Sequence, residues 1–87
     1  MKLDEVLDVV YKMENEIYRE TGKRPRFIIY MDYDFLGECY AELRRVYGLV
    51  KTSHLEFANN GTIFGHRVYP VSAYMGNGHP PYVVHTI

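Results

Sequence analysis

Arg26-Phe27-Ile28-Ile29-Tyr30-Met31, broken by Asp32-Tyr33-Asp34, is the stretch that decides the fold. An apolar run of β-branched and aromatic residues, without helical spacing and bounded by polar clusters, predicts a short strand. Because the run does not alternate, it predicts cover on both faces, and hence a central place in a sheet. Asp34 then predicts the cap of a second helix, since its carboxylate can accept from free N–H groups of the first turn. The inward positions of that helix are Leu36, Cys39, Tyr40, Leu43 and Val46 or Tyr47. Arg44 and Arg45 fall in its last turn, where cations suit the negative helix end, and Gly48 is the expected stop.

Ahead of this unit, Leu3, Val6, Leu7, Val10, Met13 and Ile17 recur at spacings of three and four, which predicts an amphipathic helix over 3–20. Asp4 and Glu5 suit its positive end, Asp8 and Lys12 stand at i,i+4, and Thr21-Gly22 offers a left-handed stop before the polar turn Lys23-Arg24-Pro25. Behind it the helical period is lost. His54-Leu55-Glu56-Phe57, Asn59-Asn60-Gly61 and Thr62-Ile63-Phe64 predict a hairpin turning at Asn-Gly. Gly65 predicts a bulge, and Pro70 in Arg67-Val68-Tyr69-Pro70-Val71 predicts a sheet edge or strand end. Met75 to Pro81 is rich in Gly and Pro and reads as a turn, and Tyr82-Val83-Val84-His85-Thr86-Ile87 reads as a terminal strand. The expected fold is α+β, two helices packed on a small mixed or antiparallel sheet, as one compact domain over 1–87.

The chain has 87 residues, enough for one core that buries roughly 60–65% of the unfolded surface. Ten Lys and Arg against eleven Asp and Glu leave a charge of −1, so the overall balance points to neither a nucleic-acid nor a membrane partner. The single cysteine and the charged start Met1-Lys2-Leu3-Asp4-Glu5 lead us to expect a cytoplasmic protein. Nine Tyr, four Phe and no Trp are spread along the chain. Tyrosine joins an apolar ring to a polar tip, and most of these residues are expected at the core or its rim, with the rest marking an interface.

No residue pattern calls for catalysis, a cofactor or a metal. Asp32 and Asp34 are two carboxylates at a strand end, where Mg²⁺ can sit, but a helix cap and a solvated turn explain both. His54, His66, His79 and His85 match no zinc spacing. Cys39 falls on an apolar helix face, which suits an inert thiol better than a nucleophile. Gly76-Asn77-Gly78 is followed by Pro80-Pro81 and an extended run instead of the helix a phosphate loop needs.

The order helix, basic turn, strand Pro25 to Met31, helix opened by Asp34-Phe35-Leu36, and the stretch Gly61-Thr62-Ile63-Phe64-Gly65-His66-Arg67-Val68-Tyr69-Pro70-Val71 resembles the axial domain of tailed-phage major capsid proteins. The resemblance spans about residues 5–74 and rests on glycines and hydrophobics; Asp32 stands where that family tends to have Asn. The spine helix, extended loop and N-terminal arm by which capsid subunits join are not seen. The resemblance therefore implies an assembly accessory or interference factor, in the host cytoplasm or on the virion, that contacts capsid subunits, or else a drifted remnant of a capsid gene.

The expected function is thus a non-enzymatic protein-interaction module of phage or prophage character. Its expected interface residues are Arg44, Arg45, Tyr47, Arg67, Tyr69 and Tyr74, Arg and Tyr being the usual anchors. One alternative is a small phage-encoded inhibitor of a host enzyme or defence complex; another is a metal-dependent enzyme using Asp32 and Asp34. Self-association through the Pro70 edge or the terminal run is a further expectation.

Overall fold

The computed structural model describes residues 1–45, 51–72 and 80–87. Its elements are α1 (Lys2–Thr21), β1 (Phe27–Asp32), α2 (Tyr33–Arg45), α3 (Thr52–Asn60), β2 (Thr62–Ile63), β3 (His66–Val71) and β4 (Tyr82–Thr86). The four strands form one mixed sheet in the order β2-β3-β1-β4. β1 runs parallel to β3 and antiparallel to β4, while β2 and β3 form an antiparallel hairpin. The α+β expectation holds, with β1 inside the sheet, but the described residues form three helices where two were expected.

α1 follows the sequence periodicity: Leu3, Val6, Leu7 and Val10 are buried. Gly22 ends it at φ 71°, with its N–H donating to Tyr18 O, and Lys12 pairs with Asp8 at 3.0 Å. α2 is capped by a different residue than expected. Asp32 Oδ2 accepts from the Phe35 N–H at 3.4 Å, and Asp34 lies inside the first turn. Starting at Tyr33 buries Phe35 together with Cys39, while Leu36, Tyr40 and Leu43 pack partly buried around them. Val46, Tyr47 and the expected stop at Gly48 lie outside the described residues, as does most of the Gly/Pro turn.

The expected hairpin at Asn59-Asn60-Gly61 is instead the end of α3. Gly61 adopts φ 67° and donates its N–H to Phe57 O. Asn-Gly serves a helix C-cap as well as a hairpin turn, because both need positive φ. His54 and Phe57, three residues apart, fall on one helical face and are both buried. The hairpin lies further on, at Ile63-Phe64-Gly65-His66, where Phe64 (φ 49°) and Gly65 (φ 82°) supply the two positive angles. Gly65 is thus the turn itself and not a bulge. The Glu56 carboxylate accepts from Gly65 N–H and Thr62 Oγ1, and Arg24 donates to Phe64 O, which holds a phenylalanine in a backbone region it disfavours.

Phe27, Ile29 and Met31 of β1 pack against Leu3, Val6, Val10, Cys39, Phe57 and Ile63. The β1 register puts Val68, Tyr82 and Val84 on that same side. All the described helical core residues meet this side, so the described residues form one helical layer on one sheet. The shortest dimension, 18 Å, matches two layers. The expectation that β1 is covered on both faces is therefore corrected: its burial alternates, and Tyr30 is exposed between Ile29 and Met31.

Ile29→Ala should lower the unfolding free energy by about 2–5 kcal/mol. Tyr30→Ala, one residue away on the bare side, should cost only about 1 kcal/mol or less in the same urea titration.

Candidate functional site

The second face of the sheet is left without a layer among the described residues. Alternation along the strands places Ile28 and Tyr30 of β1, Arg67 and Tyr69 of β3, and Val83 and His85 of β4 on it. Tyr30, Tyr69 and Val83 retain 37%, 39% and 41% of their accessible surface, far above the fully buried residues of the other face. Tyr30 and Tyr69 are register partners on the parallel pair, with ring centres 6.2 Å apart. The Arg67 guanidinium lies 5.5 Å from the Tyr69 ring centre, within reach of a cation–π contact.

At one end of this face, Arg24, Arg26, Ile28, Arg67, Tyr69 and Ile87 line an open groove of about 570 Å³. Arg24 is committed elsewhere, to Phe64 O at 2.5 Å and to Glu14 at 3.3 Å. Arg26 and Arg67 remain in the groove lining, and among the described residues the Arg67 guanidinium rests over the Tyr69 ring of the same face. Carboxylates are partitioned to the other layer: every Asp and Glu of the chain except Asp32, at the end of β1, lies on α1, α2 or α3. A net charge of −1 thus hides an acidic helical layer and a sheet face whose charges are cationic.

Of the expected interface residues, the structure brings together Arg67 and Tyr69. Arg44 and Arg45 are exposed at the end of α2, in the helical layer, and do not share that surface. Tyr47 and Tyr74 lie outside the described residues. Tyr30, Ile28, Arg26, Val83 and His85 are not among the expected interface residues. The expectation that most tyrosines are core or rim is also corrected: Tyr11, Tyr18, Tyr30, Tyr33 and Tyr69 are exposed, whereas Tyr40 and Tyr82 are half-buried.

Two histidines tie α1 to the rest of the fold. His66, buried on β3, accepts from the Phe27 N–H through Nδ1 at 3.2 Å, which leaves Nε2–H to donate to the Glu14 carboxylate. This pair joins α1 to the sheet beneath the arginine groove. His54 Nε2 lies 2.7 Å from Asp4 Oδ1 and joins α3 to α1, while its buried Nδ1 has no partner among the described residues. The His54 hydrogen bond, opposed by desolvation and assisted by the His54 and Lys51 charges, holds the Asp4 carboxyl below its ordinary value of 3.8.

No group of three or more His, Cys, Asp or Glu among the described residues could hold a metal ion. Cys39 is buried, and desolvation pushes its thiol up to about 11, which keeps it protonated at neutral pH. No described helix is long and apolar enough to cross a membrane. Comparison with protein-family models, curated proteins and solved structures finds no match to this chain.

Because the Asp4 carboxyl is depressed in the folded state, its contribution to stability is present above pH 3.8 and is lost as the pH falls through the lower, folded value. A carboxyl NMR titration should give Asp4 a midpoint under 3.8, and Asp4→Asn should lose less stability than the parent chain on acidification across that window.

Proposed function

We propose that this protein is a non-enzymatic protein-interaction module whose contact surface is the bare face of the sheet. The observation that carries this reading is the exposed pair Tyr30 and Tyr69 at the centre of a face that the helices leave uncovered. Around the pair, Ile28 and Val83 supply apolar area, Arg26 and Arg67 form a cationic border, and His85 adds a polar ring. An apolar, aromatic centre with a polar rim is the general anatomy of a protein interface, and Tyr and Arg dominate its energetics.

The charge partition supports a partner of definite chemistry: a protein presenting an apolar patch flanked by Asp or Glu. Such a surface meets the arginines favourably, whereas a basic one would leave like charges opposed. The resemblance to a capsid axial domain directs this reading towards a capsid subunit, with the protein acting as an assembly accessory or interference factor. Rigid strands hold the two tyrosines in register, so little side-chain ordering is needed on binding.

The test is affinity capture with tagged protein from cells expressing phage genes, followed by titration of the purified partner. Tyr30→Ala combined with Tyr69→Ala should weaken binding by roughly tenfold or more, and Arg67→Glu should weaken it and flatten its salt dependence. Arg44→Ala with Arg45→Ala should leave it unchanged. A partner insensitive to the face substitutions would overturn the reading, and a host protein captured equally without phage expression would replace the capsid with a host target.

A further inference from the structure

Among the described residues the outer margin of β4 is an open strand edge, and its hydrogen-bond register shows which groups it presents. β4 pairs with β1 on one side and ends the sheet on the other. Asp32 N–H donates to Pro81 O at 2.8 Å, and Ile87 N–H donates to Arg26 O at 3.0 Å. In an antiparallel ladder, bonded pairs alternate with non-bonded ones. With Ile28 opposite His85 and Tyr30 opposite Val83, residues 81, 83, 85 and 87 are those bonded to β1. Tyr82, Val84 and Thr86 therefore turn their backbone N–H and C=O groups outward.

The two margins of the sheet are treated differently. On the far side, β2 is two residues long and pairs only with His66 and Arg67, and Pro70 occupies the stretch of β3 that β2 does not reach. A short edge strand and a proline are common protections against further strand pairing. Tyr82-Val83-Val84-His85-Thr86 has neither protection and no Lys, Asp, Glu or Gly, and its aromatic and β-branched residues favour extended structure.

We propose that β4 pairs antiparallel with β4 of a second copy, about a twofold axis at Val84. This edge is complementary to itself. Val84 meets its own copy, Tyr82 meets Thr86 of the second copy, and Val83 meets His85 of the second copy. Each outward N–H then finds an outward C=O, and no like charges stand opposite. The occupant is a second copy because this register closes on itself with every outward group matched. The contact forms at the margin, so it leaves both bare faces uncovered and sets them side by side in one continuous sheet; it does not depend on what those faces bind.

Sedimentation equilibrium of the purified chain from micromolar to millimolar concentration should show a reversible monomer–dimer equilibrium. Amide exchange by NMR should show Tyr82, Val84 and Thr86 gaining protection as concentration rises, with Val83 and His85 protected throughout. Thr86→Pro removes an outward donor from an exposed residue and should weaken association by roughly tenfold or more without loss of the circular dichroism of the fold. Val84→Pro should do the same at the axis; should it unfold the chain, Thr86→Pro and the exchange pattern decide. A monomer at every concentration overturns the proposal, as does a dimer in which those three amides gain no protection.

Discussion

The parallel pairing of β1 with β3 is the constraint on which the rest of the structure depends. Parallel neighbours cannot be joined by a tight turn, so the chain must leave the end of β1 and return to the opposite end of the sheet before β3 begins. That return contains α2, α3 and β2, and it delivers Phe35, Cys39 and Phe57 to the side of the sheet that Leu3, Val6 and Val10 of α1 also cover. With all three helices on that side, Phe27, Ile29 and Met31 gain a core and Ile28 and Tyr30 do not.

Charged and polar side chains secure this arrangement where apolar packing thins out. Glu14 reaches His66 from α1, His54 reaches Asp4 from α3, and Lys2 binds Glu38 and, through its backbone N–H, Glu42 of α2. The first of these is the most buried, and its imidazole also accepts from the β1 backbone, so one ring links helix, central strand and neighbouring strand. The exposed pairs contribute little to stability individually. Their collective effect on charge is larger: the carboxylates gather on the helical layer, and the sheet face keeps Arg26, Arg67 and His85 around its tyrosines.

An uncovered face and an unprotected margin are separate features with different chemistry. The face offers rings, methyl groups and guanidinium groups, and so selects a partner by shape and charge. The margin of β4 offers backbone groups in a fixed register, and so selects another strand. In the reading proposed above, one sheet serves a foreign protein on its surface and a second copy at its border, and neither contact obstructs the other.

Much of the fold was legible in the residues themselves. The helical spacing from Leu3 to Ile17, the Gly22 stop, the Phe27–Met31 strand, the terminal strand from Tyr82 and the protected place of Pro70 all follow from local periodicity and backbone stereochemistry. Asn60-Gly61 was not decisive, because positive φ at the glycine suits a helix end and a hairpin alike, and only the burial of His54 and Phe57 on one face chose the helix. Arg67 and Tyr69 were expected at an interface because Arg and Tyr are its usual anchors, whereas Ile28 and Tyr30 were not, because they lie inside an apolar run that reads as buried throughout. Sequence by itself determined where the chain extends and where it coils. Which face of the sheet is covered, and hence which aromatic residues are exposed, was decided by the tertiary structure, because a side chain's solvent exposure depends on where distant helices land and not on its own neighbours in the chain.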